Sequence, residues 1–234
     1  MKFARHESLL KNNSRTNNNV MLQQRIINMQ LFGRFLSPYT RLVSMVLNHH
    51  GIEHEHHQLA VANDADREEI LRHNSLGRVP ILRINEQDAL VESDLIILHL
   101  EQNLADEARL FPRDGRETIS FLTHHGRARG IMDRAVAAFY ESSRRPEDKR
   151  WPEHAEKLDL TWQATLGKFE QSCPAPGQYF LGGKLSLIDL DMAVIMEFLA
   201  IARAKKLASM DLPKLHAWME NMAQHQLVKN TRLN

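Results

Sequence analysis

The sequence predicts an α/β part with a mixed four-stranded sheet, followed by a part built only of helices. Two observations lead to this prediction. Short apolar segments alternate with helical periodicity between residues 29 and 104, in the order βαβα and then ββα. Beyond Gly115 the strand signals nearly vanish, and the segments with apolar periodicity are long enough to form helices.

The first four elements follow from apolar periodicity and from end signals. They are predicted as a strand at 29–33, a helix at 38–50, a strand at 52–60 and a helix at 64–74. The core face of the first helix is predicted to hold Leu42, Val43, Val46 and Leu47. Gly51 can take the C′ position of this helix, because glycine adopts the left-handed conformation at little cost.

Two strands and a helix complete the predicted sheet domain. The strands, at 79–84 and 89–92, flank a polar turn at 85–87. The helix spans residues 93–104, with Ser93 as its N-cap. Its core-facing residues are predicted to be Ile96, Ile97, Leu100 and Leu104.

The second part is predicted to contain helices at 116–143, 152–172, 186–205 and 212–224. Ser186 and Asp189 match a variant capping box, in which the side chain of the third helical residue returns to the N-cap backbone. These two residues are therefore expected to begin the third helix.

Three boundaries divide the chain into a leader at 1–28, a domain at 29–105, a linker at 106–114 and a helical domain at 115–234. The leader contains five basic residues, one acidic residue and six asparagines, with little apolar periodicity. This composition predicts a disordered segment, or a start that lies upstream of the true one. A transit peptide is the alternative interpretation.

Composition excludes several classes of protein. Lys+Arg 30 against Asp+Glu 29 gives no basic excess for nucleic-acid binding. The single cysteine excludes an internal disulfide framework and a CxxC pair, and it suits a reducing compartment such as the cytoplasm. The most apolar stretch, 185–202, carries three acidic residues, so no membrane span is predicted.

Ser37 precedes Pro38 between the first strand and the first helix, and two interpretations are open. Serine before proline is a common N-cap, which needs no further function. A hydroxyl at a helix N-terminus can also donate a hydrogen bond to an anionic sulfur and lower the pKa of that thiol. Such a residue cannot exchange disulfides, so it would act on the thiol of another molecule.

Two further pairs of residues offer binding groups, one pair for an extended peptide and the other for an amino-acid zwitterion. Val79-Pro80 precedes the third strand, and a cis bond there would turn the backbone groups of Val79 toward an extended ligand. Glu92 can pair with an ammonium, and the N-terminus of the helix at Ser93 can hold a carboxylate. Each pair also has an ordinary structural interpretation, as an edge-strand proline and as a helix start.

The order and spacing of these pairs resemble the glutathione transferase superfamily. The matching segments are "SPYTRLV", "NSLGRVPIL", "VESDLIILHL" and "LSLIDLDMA", and the resemblance runs from residue 29 to about residue 224. It implies a thioredoxin-like first domain and a helical second domain with a second-substrate pocket. The stretch "GIMD" at 130–133 is most similar to small bacterial transferases that use serine.

The resemblance also implies a role for each candidate residue. Ser37 would contact the glutathione sulfur as the catalytic residue. Val79 would pair with the cysteinyl backbone, Pro80 would be cis, and Glu92 and Ser93 would hold the γ-glutamyl end. Glutathione would be the co-substrate, a small electrophile the second substrate, and the protein a cytoplasmic homodimer acting in detoxification.

Other functions stay open at the level of sequence. One is a glutathione-dependent isomerase or dehalogenase that acts on a carboxylate substrate, and another is a non-catalytic protein-binding module of the same fold. Tyr39, Arg127 and Arg129 are candidate second-substrate residues. Arg129 would repel the glutathione ammonium, bind an acidic co-substrate or remain solvated. The histidines near residues 49–57 lack a cysteine or a clear carboxylate partner, so no metal site is predicted.

Overall fold

The computed structural model describes residues 29–113 and 115–233 of the chain. The chain folds into two compact units, one ending at Leu98 and the other beginning at His99. This division falls inside a helix, and the predicted domain boundaries stay predictions. The predicted leader, residues 1–28, lies outside the described residues.

The first unit confirms the mixed four-stranded sheet. Its elements are β1 (Gln30–Phe32), α1 (Pro38–His49), β2 (Glu55–His57), α2 (Asp64–His73), β3 (Ile81–Arg83), β4 (Ala89–Val91) and α3 (Ser93–Glu101), which runs into the second unit. The strand order is β2-β1-β3-β4. β1 and β2 are parallel, whereas the β1–β3 and β3–β4 pairs are antiparallel.

Helix α1 begins and ends as its sequence predicts. Ser37 is the N-cap, and its side chain accepts a hydrogen bond from the Thr40 N–H. At the other end Gly51 has a φ of 63°. The Ile52 N–H donates to the Leu47 carbonyl over 2.9 Å, and the Gly51 N–H donates to the Asn48 carbonyl over 3.2 Å. These two bonds form a Schellman motif, which satisfies carbonyls that the helix itself leaves without partners.

The second unit is helical, as predicted. Its further α-helices are α4 (Gly115–Ser143), α5 (Pro152–Ser172), α6 (Leu187–Ala202), α7 (Ala204–Ala208), α8 (Pro213–Met222) and α9 (Gln226–Asn230). α4 packs against both α5 and α6. Trp162 and Trp218 are fully buried in this unit. Within the described part of the chain, no helix combines the length and apolarity needed to cross a membrane.

The capping box predicted for Ser186 and Asp189 is confirmed at the start of α6, where the Asp189 side chain accepts hydrogen bonds. Its Oδ2 accepts from the Ser186 N–H over 2.8 Å and from the Ser186 hydroxyl over 2.6 Å. Its Oδ1 accepts from the Phe180 N–H over 2.9 Å. Burial raises the pKa of this carboxyl, and the three donors act in the opposite direction.

Two helices depart from the sequence prediction in ways that affect packing. The third predicted helix, 186–205, is interrupted at Arg203, where the backbone leaves helical geometry (φ −135°, ψ 32°). The guanidinium of Arg203 donates to the Asp159 carboxylate and, over 2.9 Å, to the Ser142 hydroxyl. This contact with two other helices accompanies the break, and a pattern of apolar residues cannot show it. Helix α3 ends at Glu101, so Leu104 lies beyond it and is half-buried.

Candidate functional site

The strand register brings the candidate residues of the first unit to one edge of the sheet. Phe32 pairs with His57 on β2 and with Ile81 on β3, and Ile81 pairs with Val91 on β4. The loop after β1, the segment before β3 and the segment after β4 therefore start from the same edge. These three segments carry Ser37, Val79-Pro80 and Glu92-Ser93.

Ser37 lies at the N-terminus of α1, where its hydroxyl oxygen accepts a hydrogen bond. The Thr40 N–H donates to Ser37 Oγ over 3.3 Å, and Ser37 itself is half-buried. Because the oxygen accepts this bond, the hydroxyl hydrogen remains a donor for another group. The first N–H groups of a helix favour an anion at this place. The cap interpretation and the chemical interpretation of Ser37 are thus compatible.

Gly33 lies between the helix that carries Ser37 and the segment that carries Val79, where there is no room for a side chain. It is buried, with a φ of 124°. A Cβ at this position would lie 2.4 Å from Thr40 Oγ1 and 2.8 Å from Val79 Cβ. Glycine therefore allows the helix that carries Ser37 and the segment that carries Val79 to pack against the same backbone.

The Val79–Pro80 peptide bond is cis, as the resemblance implied. Val79 is half-buried and Pro80 is buried. The buried Asn74 holds the preceding loop, since its Nδ2 donates to the Arg78 carbonyl over 2.9 Å and its Oδ1 accepts from the Leu76 N–H over 3.0 Å. Asn74 is not among the predicted site residues, although asparagine side chains commonly bond to the backbone of turns.

Glu92 has a φ of 66°, an uncommon conformation for a residue other than glycine. Its carbonyl accepts from the Ile96 N–H over 3.0 Å, so the first helical bond of α3 starts at Glu92. The prediction that Ser93 is the N-cap is therefore wrong. Ser93 is instead the first residue of α3 and is buried. Backbone strain of this kind often occurs at binding sites, where it aims a side chain or an N–H group.

The Glu92 side chain is paired with a neighbouring cation. Arg78 Nη1 lies 3.4 Å from Glu92 Oε1, and the two side chains are 69% and 44% exposed. An exposed pair of this length contributes little to stability. The Glu92 carboxylate therefore remains accessible to an ammonium group of a ligand.

The candidate second-substrate residues lie in different units. Tyr39 is in the first turn of α1 and is half-buried. Arg127 and Arg129 are on α4, where Arg127 is exposed and Arg129 is half-buried. Arg129 Nη1 lies 3.6 Å from Met132 Sδ, one turn along the same helix.

Two other types of site have little support among the described residues. Burial raises the pKa of the Cys173 thiol to about 11, with a further contribution from the Glu170 charge. This thiol is therefore protonated at neutral pH and is a poor nucleophile. No group of three or more His, Cys, Asp or Glu side chains in residues 29–113 and 115–233 has an arrangement that could hold a metal ion.

Two family models match the chain. The model of the glutathione S-transferase N-terminal domain matches residues 31–108, and the model of the C-terminal domain matches residues 131–230. The uncharacterized GST-like protein YibF of Escherichia coli K12 is 32% identical over 117 residues, which is 50% of this chain and 56% of that protein. The chain thus aligns with only about half the length of this relative.

Solved structures share the fold over most of the chain. A glutathione S-transferase from Methylobacillus flagellatus KT with GSH bound is 24% identical, with a TM-score of 0.78 over 88% of this chain and 100% of that chain. A glutathione transferase family member from Pseudomonas fluorescens Pf-5 with bound glutathione is 26% identical, with a TM-score of 0.73 over 88% and 99%. A further Pf-5 structure, with bound S-(propanoic acid)-glutathione, is 25% identical, with a TM-score of 0.71 over 88% and 99%.

We predict that Gly33→Ala destabilises the protein more than Gly51→Ala does. Both positions have positive φ, but an added Cβ at Gly51 meets nothing within 4 Å. Gly51→Ala should therefore cost only the conformational term of about 1 to 2 kcal/mol. Gly33→Ala should cost about 1 to 3 kcal/mol more, because Val79 Cβ is bonded to the backbone and cannot rotate away. Urea unfolding of both variants measures the difference, and equal free energies of unfolding would contradict the packing argument.

Proposed function

This chain belongs to the glutathione transferase superfamily, and we propose that it binds glutathione and activates its thiol for attack on an electrophilic small molecule. The observation that carries the proposal is the hydroxyl of Ser37 at the N-terminus of α1, with its oxygen already accepting from the Thr40 N–H. The hydroxyl hydrogen is then directed to a bound sulfur, which it stabilises as the thiolate.

The Ser37 hydroxyl and the N-terminus of α1 can together supply the free energy needed to lower the pKa of the thiol. A free thiol has a pKa of about 8.5, so most of it is protonated at neutral pH. Lowering that pKa by two units corresponds to about 2.7 kcal/mol. One hydrogen bond to a charged group contributes about 1.5 to 3 kcal/mol, and a helix N-terminus adds about 0.3 to 1 kcal/mol.

The rest of the sheet edge supplies groups for the remainder of the tripeptide. In the proposal the backbone N–H and C=O of Val79 pair with the cysteinyl residue, and Pro80 holds that backbone in place. Glu92 binds the γ-glutamyl ammonium, and Ser93 with the start of α3 binds the adjacent carboxylate. The glutathione bound in the Pf-5 relative at 26% identity supports this choice of ligand.

The reaction that follows is a nucleophilic displacement or addition. The thiolate sulfur forms a bond to the electrophilic carbon. In a displacement, a leaving group departs with the electron pair of the broken bond, whereas in an addition the π electron pair moves onto the acceptor, which then takes a proton from water. Conjugation of this kind is a detoxification reaction. A homodimer, usual in this superfamily, and a cytoplasmic location, suited to a chain with a single cysteine, complete the proposal.

A second candidate function is glutathione-dependent isomerisation or dehalogenation of a carboxylate substrate. It rests on Arg129, a half-buried cation on α4, and to a smaller degree on the exposed Arg127. The S-(propanoic acid)-glutathione bound in a Pf-5 relative is a thioether of glutathione whose substituent carries a carboxylate, and it favours an acidic second substrate.

A non-catalytic protein-binding role is less well supported. Such a role would not require a hydroxyl at the start of α1 or an acidic residue held in the left-handed conformation. Ser37, Val79-Pro80 and Glu92-Ser93 are all present and lie at one edge of the sheet. Retention on immobilised glutathione separates the enzyme proposal from this alternative.

We predict that Ser37→Ala lowers kcat for glutathione conjugation by about tenfold to a hundredfold, the loss expected for one hydrogen bond to a charged atom. The KM for glutathione should change little, because the other groups still bind the tripeptide. Ser37→Thr, which keeps the hydroxyl, should retain most of the rate. Steady-state kinetics with a neutral aryl halide provide the measurement.

Asn63→Ala is the matched control for this experiment. Asn63 caps α2 by accepting from the Asp66 N–H over 3.0 Å, so this variant and Ser37→Ala should each lose about 1 kcal/mol of stability. Only Ser37→Ala should lose kcat. Equal kcat values in these two variants would show that Ser37 is a helix cap without a catalytic role.

We predict that Arg129→Gln raises the KM for an α-halocarboxylate and leaves the KM for the corresponding amide unchanged. At roughly 6 Å and an effective dielectric constant between 20 and 80, loss of the attraction is about 0.7 to 2.8 kcal/mol, or about threefold to a hundredfold. Arg116→Gln, which removes an exposed cation from the same helix, is the control. If both substrates change alike, or neither changes, the carboxylate function loses its support.

A further inference from the structure

The loop at residues 33–37 sets the position of Ser37, and most of its anchors are backbone bonds. The Gly33 N–H donates to the His57 carbonyl over 2.9 Å, and the Arg34 N–H donates to the Leu59 carbonyl over 3.1 Å. The Ser37 N–H donates to the Arg34 carbonyl over 3.0 Å. These bonds depend on the backbone and do not require particular side chains.

His56 on β2 adds two contacts that do depend on its side chain. Its Nε2 lies 2.6 Å from the Gly33 carbonyl oxygen. Its ring stacks on the Phe35 ring, with centroids 4.4 Å apart and an angle of 26° between the planes. The imidazole therefore holds both the first residue of the loop and its middle residue.

The His56 imidazole donates its ring N–H to the Gly33 carbonyl. Burial lowers the pKa of His56, so the ring is neutral at neutral pH. A neutral imidazole carries one N–H, and the carbonyl partner can only accept. The hydrogen is therefore on Nε2 and is committed to Gly33, which leaves His56 with no proton to exchange with a substrate through that nitrogen.

We propose that His56 is a positioning residue. It holds the 33–37 loop so that the Ser37 hydroxyl stays directed toward the glutathione thiolate. The inference rests on the proposed function, because it assigns His56 a role in the same reaction. The Gly33 carbonyl follows β1 directly, and Gly33 also packs against Thr40 and Val79. A shift of Gly33 would move the start of α1, and displacements of about 1 Å at a reacting group can cost a hundredfold in rate.

Three variants distinguish the effect of the His56 hydrogen bond to Gly33 from that of its ring contact with Phe35. His56→Phe keeps an aromatic ring for Phe35 and removes the N–H donor. His56→Gln removes the ring but restores an N–H at the same number of bonds from the backbone. His54→Phe is the control, because the contact of His54 Nδ1 is local, 3.0 Å from the Ile52 carbonyl oxygen.

We expect His56→Phe to lower kcat by about tenfold to a hundredfold, with the Kd for glutathione within twofold of the wild-type value by calorimetry. His56→Gln should recover kcat to within about threefold of wild type, and His54→Phe should match wild type. Full kcat in His56→Phe overturns the inference, as does an equal loss in His56→Gln. A proportional loss of kcat and glutathione affinity also overturns it, since it indicates general loss of structure.

Amide hydrogen exchange of the free protein tests the positioning without any activity. The peptide that spans residues 33–37 should exchange at least about fivefold faster in His56→Phe than in wild type, and at the wild-type rate in His56→Gln and His54→Phe. Unchanged exchange in His56→Phe contradicts the positioning role. Wild-type protein that neither binds nor turns over glutathione contradicts the proposed function instead, whatever the exchange rates are.

Discussion

Close packing around Gly33 is the constraint on which the candidate site depends. The absence of a side chain lets Thr40, which donates to Ser37, and Val79, which precedes the cis proline, approach the same backbone. The sheet register then adds the segment after β4 to this edge. Because one residue separates the segment that carries Ser37 from the segment that carries Val79, van der Waals contact sets the relative position of these segments, and flexible side chains do not.

The candidate site contains few charged groups and several backbone groups. In the proposed site, the N-termini of α1 and α3 and the backbone of Val79 supply groups that the fold holds in place. Preorganised groups of this kind need little rearrangement when charge develops on a ligand. The histidine on β2 and the asparagine after α2 extend the same principle, since each binds a carbonyl in a loop that carries a candidate site residue.

Much of the fold could be predicted from the sequence, because the signals are local, whereas the roles of the candidate site residues stay predictions. Ser-Pro before an apolar helix, glycine after it and Ser-x-x-Asp before α6 each act within a few residues. The features that were missed depend on distant contacts. Arg203 ends α6 beside Asp159, and His56 reaches Gly33 only because β2 pairs with β1. Ser93 is the first helical residue because Glu92 turns into the left-handed region, which serine capping statistics do not show.

The thiol pKa of bound glutathione tests the central claim most directly. It can be followed by the ultraviolet absorbance of the thiolate during a pH titration of the saturated complex. A wild-type value about two units below that of free glutathione, and a return toward the free value when Ser37 is replaced by alanine, agree with thiolate stabilisation by the α1 N-terminus. A wild-type value equal to that of free glutathione, in a complex that is fully formed, would contradict it.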